Sequence, residues 1–168
     1  MLLLSLALAP SILWAKAAYY LKADMVRMAE AIALVTITSV DTTDTKGNHW
    51  TYKQVATAKV ERVLKGKLPS DVKLYGGEKI ICGQCHFGEG KFLVFLRHDG
   101  DLLTCANWHL SIRPITGDTI EWYKNNESLE LVSKPLRQVL DEVVSLVSGE
   151  QSARAEKGAA GQFKDKQD

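Results

Sequence analysis

From Tyr52 to Leu64 the chain alternates, with Tyr52, Ala56, Ala58 and Val60 on one side and Lys53, Thr57, Lys59 and Glu61 on the other. Successive side chains of a strand point to opposite faces, so this stretch reads as a long strand with one dry face and one wet face. Lys91 to Arg97 (KFLVFLR) has the opposite pattern, apolar at every interior position. A strand of that kind must be covered on both faces, so it reads as central to the sheet. The two patterns together confine the chain to a layered β architecture.

The remaining segments fit around these two strands. Ile32 to Val40 is rich in β-branched residues and reads as a strand, and Asp41 to Asn48 after it reads as a polar turn region, with Gly47-Asn48 reversing the chain. Lys65-Gly66-Lys67-Leu68-Pro69 ends the alternating strand, and Asp71 to Tyr75 forms the next, stopped by Gly76-Gly77. His98-Asp99-Gly100-Asp101 is a tight turn, Leu102 to Ala106 runs back as a hairpin partner, and Thr119 to Tyr123 is a last short extended piece. Asp24 to Ala31 has Met25, Met28 and Ala29 at helical spacing and predicts a short helix, its methionines acting as core filler. A second helix is predicted from Ser133 as N-cap, with Pro135 in its first turn and an apolar stripe of Leu136, Val139, Leu140, Val143 and Val147. Gly149 is placed to end it, and residues 150–168, rich in Ala, Gly, Gln and charge, are expected to be a disordered tail. Short strands, a hairpin and one packing helix describe a mainly β domain over residues 18–149: a small closed antiparallel barrel of five to six strands.

At 168 residues the chain is long enough for one domain with a proper core. Residues 1–17 set the expected compartment. Leu2, Leu3, Leu4, Leu6, Leu8, Ile12 and Leu13 form an apolar run ending in Ala15-Lys16-Ala17, the small-x-small pattern of a signal-peptidase site. The run is shorter than the roughly 20 residues a bilayer requires, and no later segment is long and apolar enough to cross one. The expectation is a periplasmic or secreted protein cut after Ala17. A formal charge of +1, with acids and bases interspersed, argues against nucleic acid or an anionic membrane surface as the main partner.

Three cysteines stand at Cys82, Cys85 and Cys105, with His86 beside the second and His109 four residues after the third. An exported chain meets an oxidising compartment, which favours a disulfide. Cys105 lies on the return strand of the hairpin, where either Cys82 or Cys85 could meet it, closing a loop of roughly 20 residues worth about 3 kcal/mol. Cys82-Gly83-Gln84-Cys85-His86 also matches the C-x-x-C-H motif of covalent haem attachment. A zinc site would take Cys82, Cys85, Cys105 and either His86 or His109. A thioredoxin-type redox pair lacks its setting, because Gly88-Glu89-Gly90 and a strand follow instead of a helix.

The order of several short stretches carries a resemblance. They are Ala31–Val40, then Val55 to Gly66 (VATAKVERVLKG), then Cys82-Gly83, then Phe87 to Phe95 (FGEGKFLVF), then Leu103-Thr104-Cys105 and Arg113-Pro114-Ile115. In that order the chain resembles bacterial proteins with a netrin-like, or tissue-inhibitor-of-metalloproteinase-like, domain over roughly residues 24–123. The resemblance implies an oligonucleotide/oligosaccharide-binding (OB) barrel. It also implies that Cys82 pairs with Cys105, which leaves Cys85 as the additional thiol. The inhibitors of that family chelate the enzyme's zinc with an N-terminal cysteine, whereas here no cysteine precedes Cys82. Their inhibitory wedge therefore does not carry over, and a metalloproteinase inhibitor is only an alternative reading.

Catalytic signatures are lacking: there is no G-x-S-x-G and no H-E-x-x-H, and His49, His98 and His109 have no evident nucleophile in a recognisable setting. The sequence points to a non-catalytic exported binding module with a protein partner. Trp108, Trp122 and Tyr123, near strand ends, are its candidate binding surface, no catalytic or cofactor-binding residue being assigned. A c-type haem protein and a zinc site are the alternatives that invoke a cofactor.

Overall fold

The computed structural model describes residues 19–78 and 83–164, with side chains through residue 152. The elements in order are α1 (Lys22–Met28), β1 (Ala31–Lys46), β2 (Thr51–Lys65), β3 (Asp71–Glu78), β4 (Gly90–Asp99), β5 (Leu102–Cys105), a 3-10 turn (Trp108–Ser111), β6 (Ile112–Thr116), β7 (Thr119–Tyr123), β8 (Leu131–Pro135) and α2 (Leu136–Lys164). The strand order β1-β2-β3-β5-β4 closes on itself through a second pairing of β1 with β4, giving a five-stranded barrel of the OB type. All these pairings are antiparallel except β3 with β5, which run parallel at Leu74↔Leu103 and Tyr75↔Thr104. Closure removes most sheet edges, and β6, β7 and β8 continue the sheet from β4 as a short antiparallel meander.

The doubly apolar pattern of β4 now has its cause. Val94 and Leu96 point into the barrel among Ala33, Val35, Ala58 and Leu74, while Leu93 and Phe95 point out into a second core under α1 and α2. All four are buried, because β4 is the wall shared by both cores. The alternation of β2 is equally literal: Tyr52, Ala56 and Ala58 are buried, and Lys53 and Lys59 face solvent.

The predicted stripe on α2 packs as expected, with Val139, Leu140, Val143 and Val147 buried against Phe95, Ile120 and Trp122. Met25 of α1 joins the same core. Lys22 is buried there too and ion-pairs with Glu142 of α2, and burial, with Lys134 nearby, lowers its ammonium below the usual lysine range. At the far end of α1, Lys65 donates to the Val26 carbonyl (2.8 Å) and pairs with Glu150 (2.7 Å), tying both helices to the barrel.

Several element boundaries differ from expectation. β1 runs on through Asp41 to Lys46, where a turn region was expected, because β2 pairs with it as far as Thr51. α1 spans Lys22–Met28 instead of Asp24 to Ala31, and the C-terminal helix differs at both ends. Ser133 and Pro135 do not open the helix: they belong to β8, paired with Glu121 and Thr119, and α2 begins at Leu136, whose N–H donates to the Asp118 carbonyl (2.8 Å). Pro135 disfavours the helical region for the residue before it, which suits Lys134 to a strand. Nor does the helix stop at Gly149. It continues to Lys164 where a tail was expected, because Ala, Glu, Gln, Lys and Arg are strong helix formers and Glu150 is anchored to Lys65 just past the glycine. The apolar run of residues 1–17, and the cut after Ala17, lie outside the described residues. Among the described residues no helix is long and apolar enough to cross a membrane.

Candidate functional site

The segment 83–89 leads from β3 into β4 and has no regular secondary structure, yet it is held at successive points. The Gly77 N–H donates to the Cys85 carbonyl (2.7 Å), and the Cys85 N–H donates to the Glu78 carboxylate (2.8 Å). Two residues on, Gln54 of β2 grips Phe87 twice: its amide nitrogen donates to the Phe87 carbonyl (3.1 Å), and its amide oxygen accepts the Phe87 N–H (2.7 Å). Glycine is required underneath. A Cβ at Gly76 would run into the Cys85 carbonyl and the Phe87 ring, and Gly77 sits at φ +63°, where a side chain is strained.

These bonds set an in–out alternation along the loop. Cys85 and Phe87 are buried in the barrel core, while His86 is exposed and Gln84 is half-buried. The outward pair bond each other, His86 Nε2 lying 2.7 Å from the Gln84 amide oxygen. Together with Val40, Asp41 and Thr42 of β1, Lys53 and Gln54 of β2, and Gly77-Glu78 they line an open cleft of about 360 Å³. That is room for one or two side chains of a ligand, at the small end of binding pockets. Lys53 is already paired with Asp44 (2.6 Å), so Asp41 and Glu78 set the sign of the cleft.

Glu78 is buried beneath it. Burial pushes its carboxyl above the usual carboxylate range, more than the hydrogen bond from the Cys85 N–H and the nearby Arg97 guanidinium pull it down. A carboxyl raised in the folded state disfavours folding progressively as pH climbs from its unfolded value through its folded one. Glu78→Gln keeps an acceptor for Cys85 and removes the buried charge. It is expected to leave stability unchanged or raise it by up to about 1 kcal/mol at pH 7, with the difference vanishing in acid; thermal melts at the two pH values check this.

The structure sorts the sequence candidates. Cys105 meets Cys85, with Cα atoms 6.6 Å apart, in a disulfide. The expected Cys82–Cys105 pairing is thus corrected, and Cys82 lies outside the described residues. The pairing follows from the alternation, since Gln54 and Glu78 fix the loop so that Cys85 turns inward toward β5. Trp122 and Tyr123 are not a binding surface. Trp122 is fully buried, stacked on Phe95 (5.9 Å) and against Tyr123 (5.1 Å), and the Tyr123 hydroxyl donates to the Tyr20 carbonyl (2.9 Å). Trp108 stays half-buried, next to Gly83, at φ +44°. A bulky residue rarely adopts that conformation.

Covalent haem and zinc do not fit the residues as placed. Cys85 is buried and bonded to Cys105, so neither sulfur is left for a thioether or a thiolate ligand, and His86 and His109 are exposed. Sequence reasoning missed Gln54 and Glu78, the two residues that shape the loop. Gln54 shares the parity of Tyr52 and Ala56, and a polar residue on the dry face of β2 was the available signal.

The disulfide links positions 20 residues apart. The double variant Cys85→Ala/Cys105→Ala is expected to lose about 3 kcal/mol in urea unfolding, through the freed loop of the unfolded chain. No protein-family model and no curated protein matches the chain.

Proposed function

We propose that this chain is an exported, non-catalytic binding module of the netrin-like, tissue-inhibitor-like type, holding a protein partner on the rim formed by residues 84–88. One observation carries the reading: the loop is fixed through Cys85 and Phe87 while Gln84 and His86 face outward over the cleft. A loop ordered before the partner arrives loses little further entropy on binding, which is what a recognition loop requires. Binding is favoured over catalysis because the buried reactive groups are committed to structure. Cys85 is bonded to Cys105, Glu78 holds the Cys85 N–H, and Asp99 accepts from His49, Trp50 and Tyr52. A small, open cleft whose lining mixes apolar surface with the side chains of Asp41, Thr42, Lys53, Gln54, Gln84 and His86 fits a protein surface better than a buried apolar ligand.

A photo-crosslinking amino acid at position 86, in the cells that make the protein, tests this. A discrete protein adduct is expected from position 86 and not from exposed position 121 on β7, with its yield falling when Gln54→Ala frees the loop. Equal adducts from both positions, or none, overturn the reading. Intact mass of the protein recovered outside the cytoplasm checks export: a start at Ala18 and a gain on reduction matching one disulfide are expected.

A further inference from the structure

β1 is longer than the barrel it closes. Its pairing with β4 ends at Ile37↔Gly90, whereas its pairing with β2 continues to Lys46↔Thr51. Beyond Ile37, therefore, one side of β1 has no strand beside it among the described residues. Two register shifts, at Ile37/Ser39 and at Thr42/Thr45, divide this free edge and leave Ser39–Thr42 as its regular stretch, opposite Thr57, Ala56, Val55 and Gln54. Bulges such as these two, and charged residues such as Asp44 in the second, are the features that keep an exposed edge from indiscriminate pairing. A regular stretch kept between them stays available for a partner.

Val40, Asp41 and Thr42 of this stretch also line the cleft under Gln84 and His86. We propose that the free edge Ser39–Thr42 takes up an extended, basic segment of a protein partner as an added antiparallel or parallel strand, with a lysine or arginine of that segment entering the cleft. Main-chain hydrogen bonds to an edge supply affinity, and pockets for alternate side chains supply specificity. The sign follows from the lining: with Lys53 held by Asp44, the acids left facing an incoming side chain are exposed Asp41 and, below it, Glu78. The inference rests on the reading of this rim as a protein-binding surface and adds the backbone geometry and the charge of the partner.

The test uses the full chain and a short blocked peptide of alternating lysine and valine. Amide shifts are expected to move at residues 39–42, 84 and 86. The twin with glutamate in place of lysine, and Asp41→Lys in the protein, should each weaken binding about tenfold or more. N-methylation of alternate peptide amides should abolish binding in one phase of the alternation and spare it in the other, since a strand presents its donors alternately to its two sides. Hydrogen exchange of the free chain should be fast at the outward amides of 39–42. Binding that ignores N-methylation or charge, no binding, or shifts on β7 and β8 overturn the proposal. Outward amides already protected, with a second copy found in solution, overturn it as well. If position 86 crosslinks a partner while the peptide fails these criteria, the rim stands and strand addition falls; if the peptide docks as stated while no crosslink forms, the edge and cleft take a basic strand but the protein partner held over residues 84–88 in the cell falls.

Discussion

Replacing Asp99 with alanine is expected to cost the fold about 3–5 kcal/mol, the range for breaking a buried charged network from one side. Asp99 ends β4, and its nearly buried carboxylate accepts from the His49 N–H (3.0 Å), the Trp50 N–H (3.3 Å) and the Tyr52 hydroxyl (2.8 Å), with the His49 ring Nδ1 2.6 Å away. These partners belong to the β1–β2 turn and the start of β2, so one carboxylate joins two hairpins far apart in sequence. Gly47 in that turn is needed for the approach, because a Cβ there would collide with the carboxylate. Alanine leaves the Tyr52 hydroxyl, buried in the barrel wall, without its acceptor. Burial already pushes that hydroxyl well above the usual tyrosine range, with the Asp99 charge adding to it.

The pH dependence of this variant separates charge from packing. Burial alone would raise the Asp99 carboxyl, but the hydrogen bonds from His49, Tyr52 and Trp50 outweigh it and hold it below the ordinary carboxylate value. A depressed carboxyl contributes stability that is complete above the unfolded value, about 3.9, and is lost as pH falls through the folded one. In urea titrations the gap between wild type and Asp99→Ala should therefore be widest near neutrality and shrink below about pH 4. Asp99→Asn, which keeps an acceptor but not the charge, should fall between the two at neutral pH. A gap that stays constant down to pH 3 would mean the loss is packing alone.

The same residue marks what could and could not be read from the sequence. Asp99-Gly100 signals a turn, and the turn is there, with Gly100 at φ +66°. The signal says nothing about a carboxylate folded inward to receive donors some 50 residues earlier. The cue was Tyr52, whose place on the dry face of β2 required a buried partner for its hydroxyl. Strands β2 and β4 were legible because their burial patterns are local and periodic. β6 and β8 were not, since Ile112–Thr116 and Leu131–Pro135 are short, contain proline and take their pairing from neighbours in space. The cysteine spacing offered two partners for Cys105 only three positions apart. The choice lies in the parity of an irregular loop, which Gln54 and Glu78 fix from other strands. Trp122 and Tyr123 were surface candidates because they end a short strand, and they are covered by parts distant in sequence, Tyr20 and α1 before them and the α2 stripe after them.

Trp122→Ala carries the other large expectation, a loss of about 3–5 kcal/mol in equilibrium unfolding. The indole is wholly buried between Phe95, Tyr123 and the α2 stripe, and its Nε1–H donates to Glu142 (2.9 Å). Glu142 also pairs with Lys22 and approaches Lys134 (3.8 Å), so the tryptophan organises a junction of α1, α2, β7 and β8. Trp122→Phe divides the two contributions. It keeps a ring to stack on Phe95 but cannot donate to Glu142, and should lose about 1–2 kcal/mol through the hydrogen bond and residual space. Because this core lies on the outer face of β4 and the rim loop packs on the inner one, the folded Trp122→Phe protein should keep its crosslink from position 86. A rim that failed in Trp122→Phe while the barrel amides stayed protected from exchange would show that the helical layer positions the loop as well as covering β4.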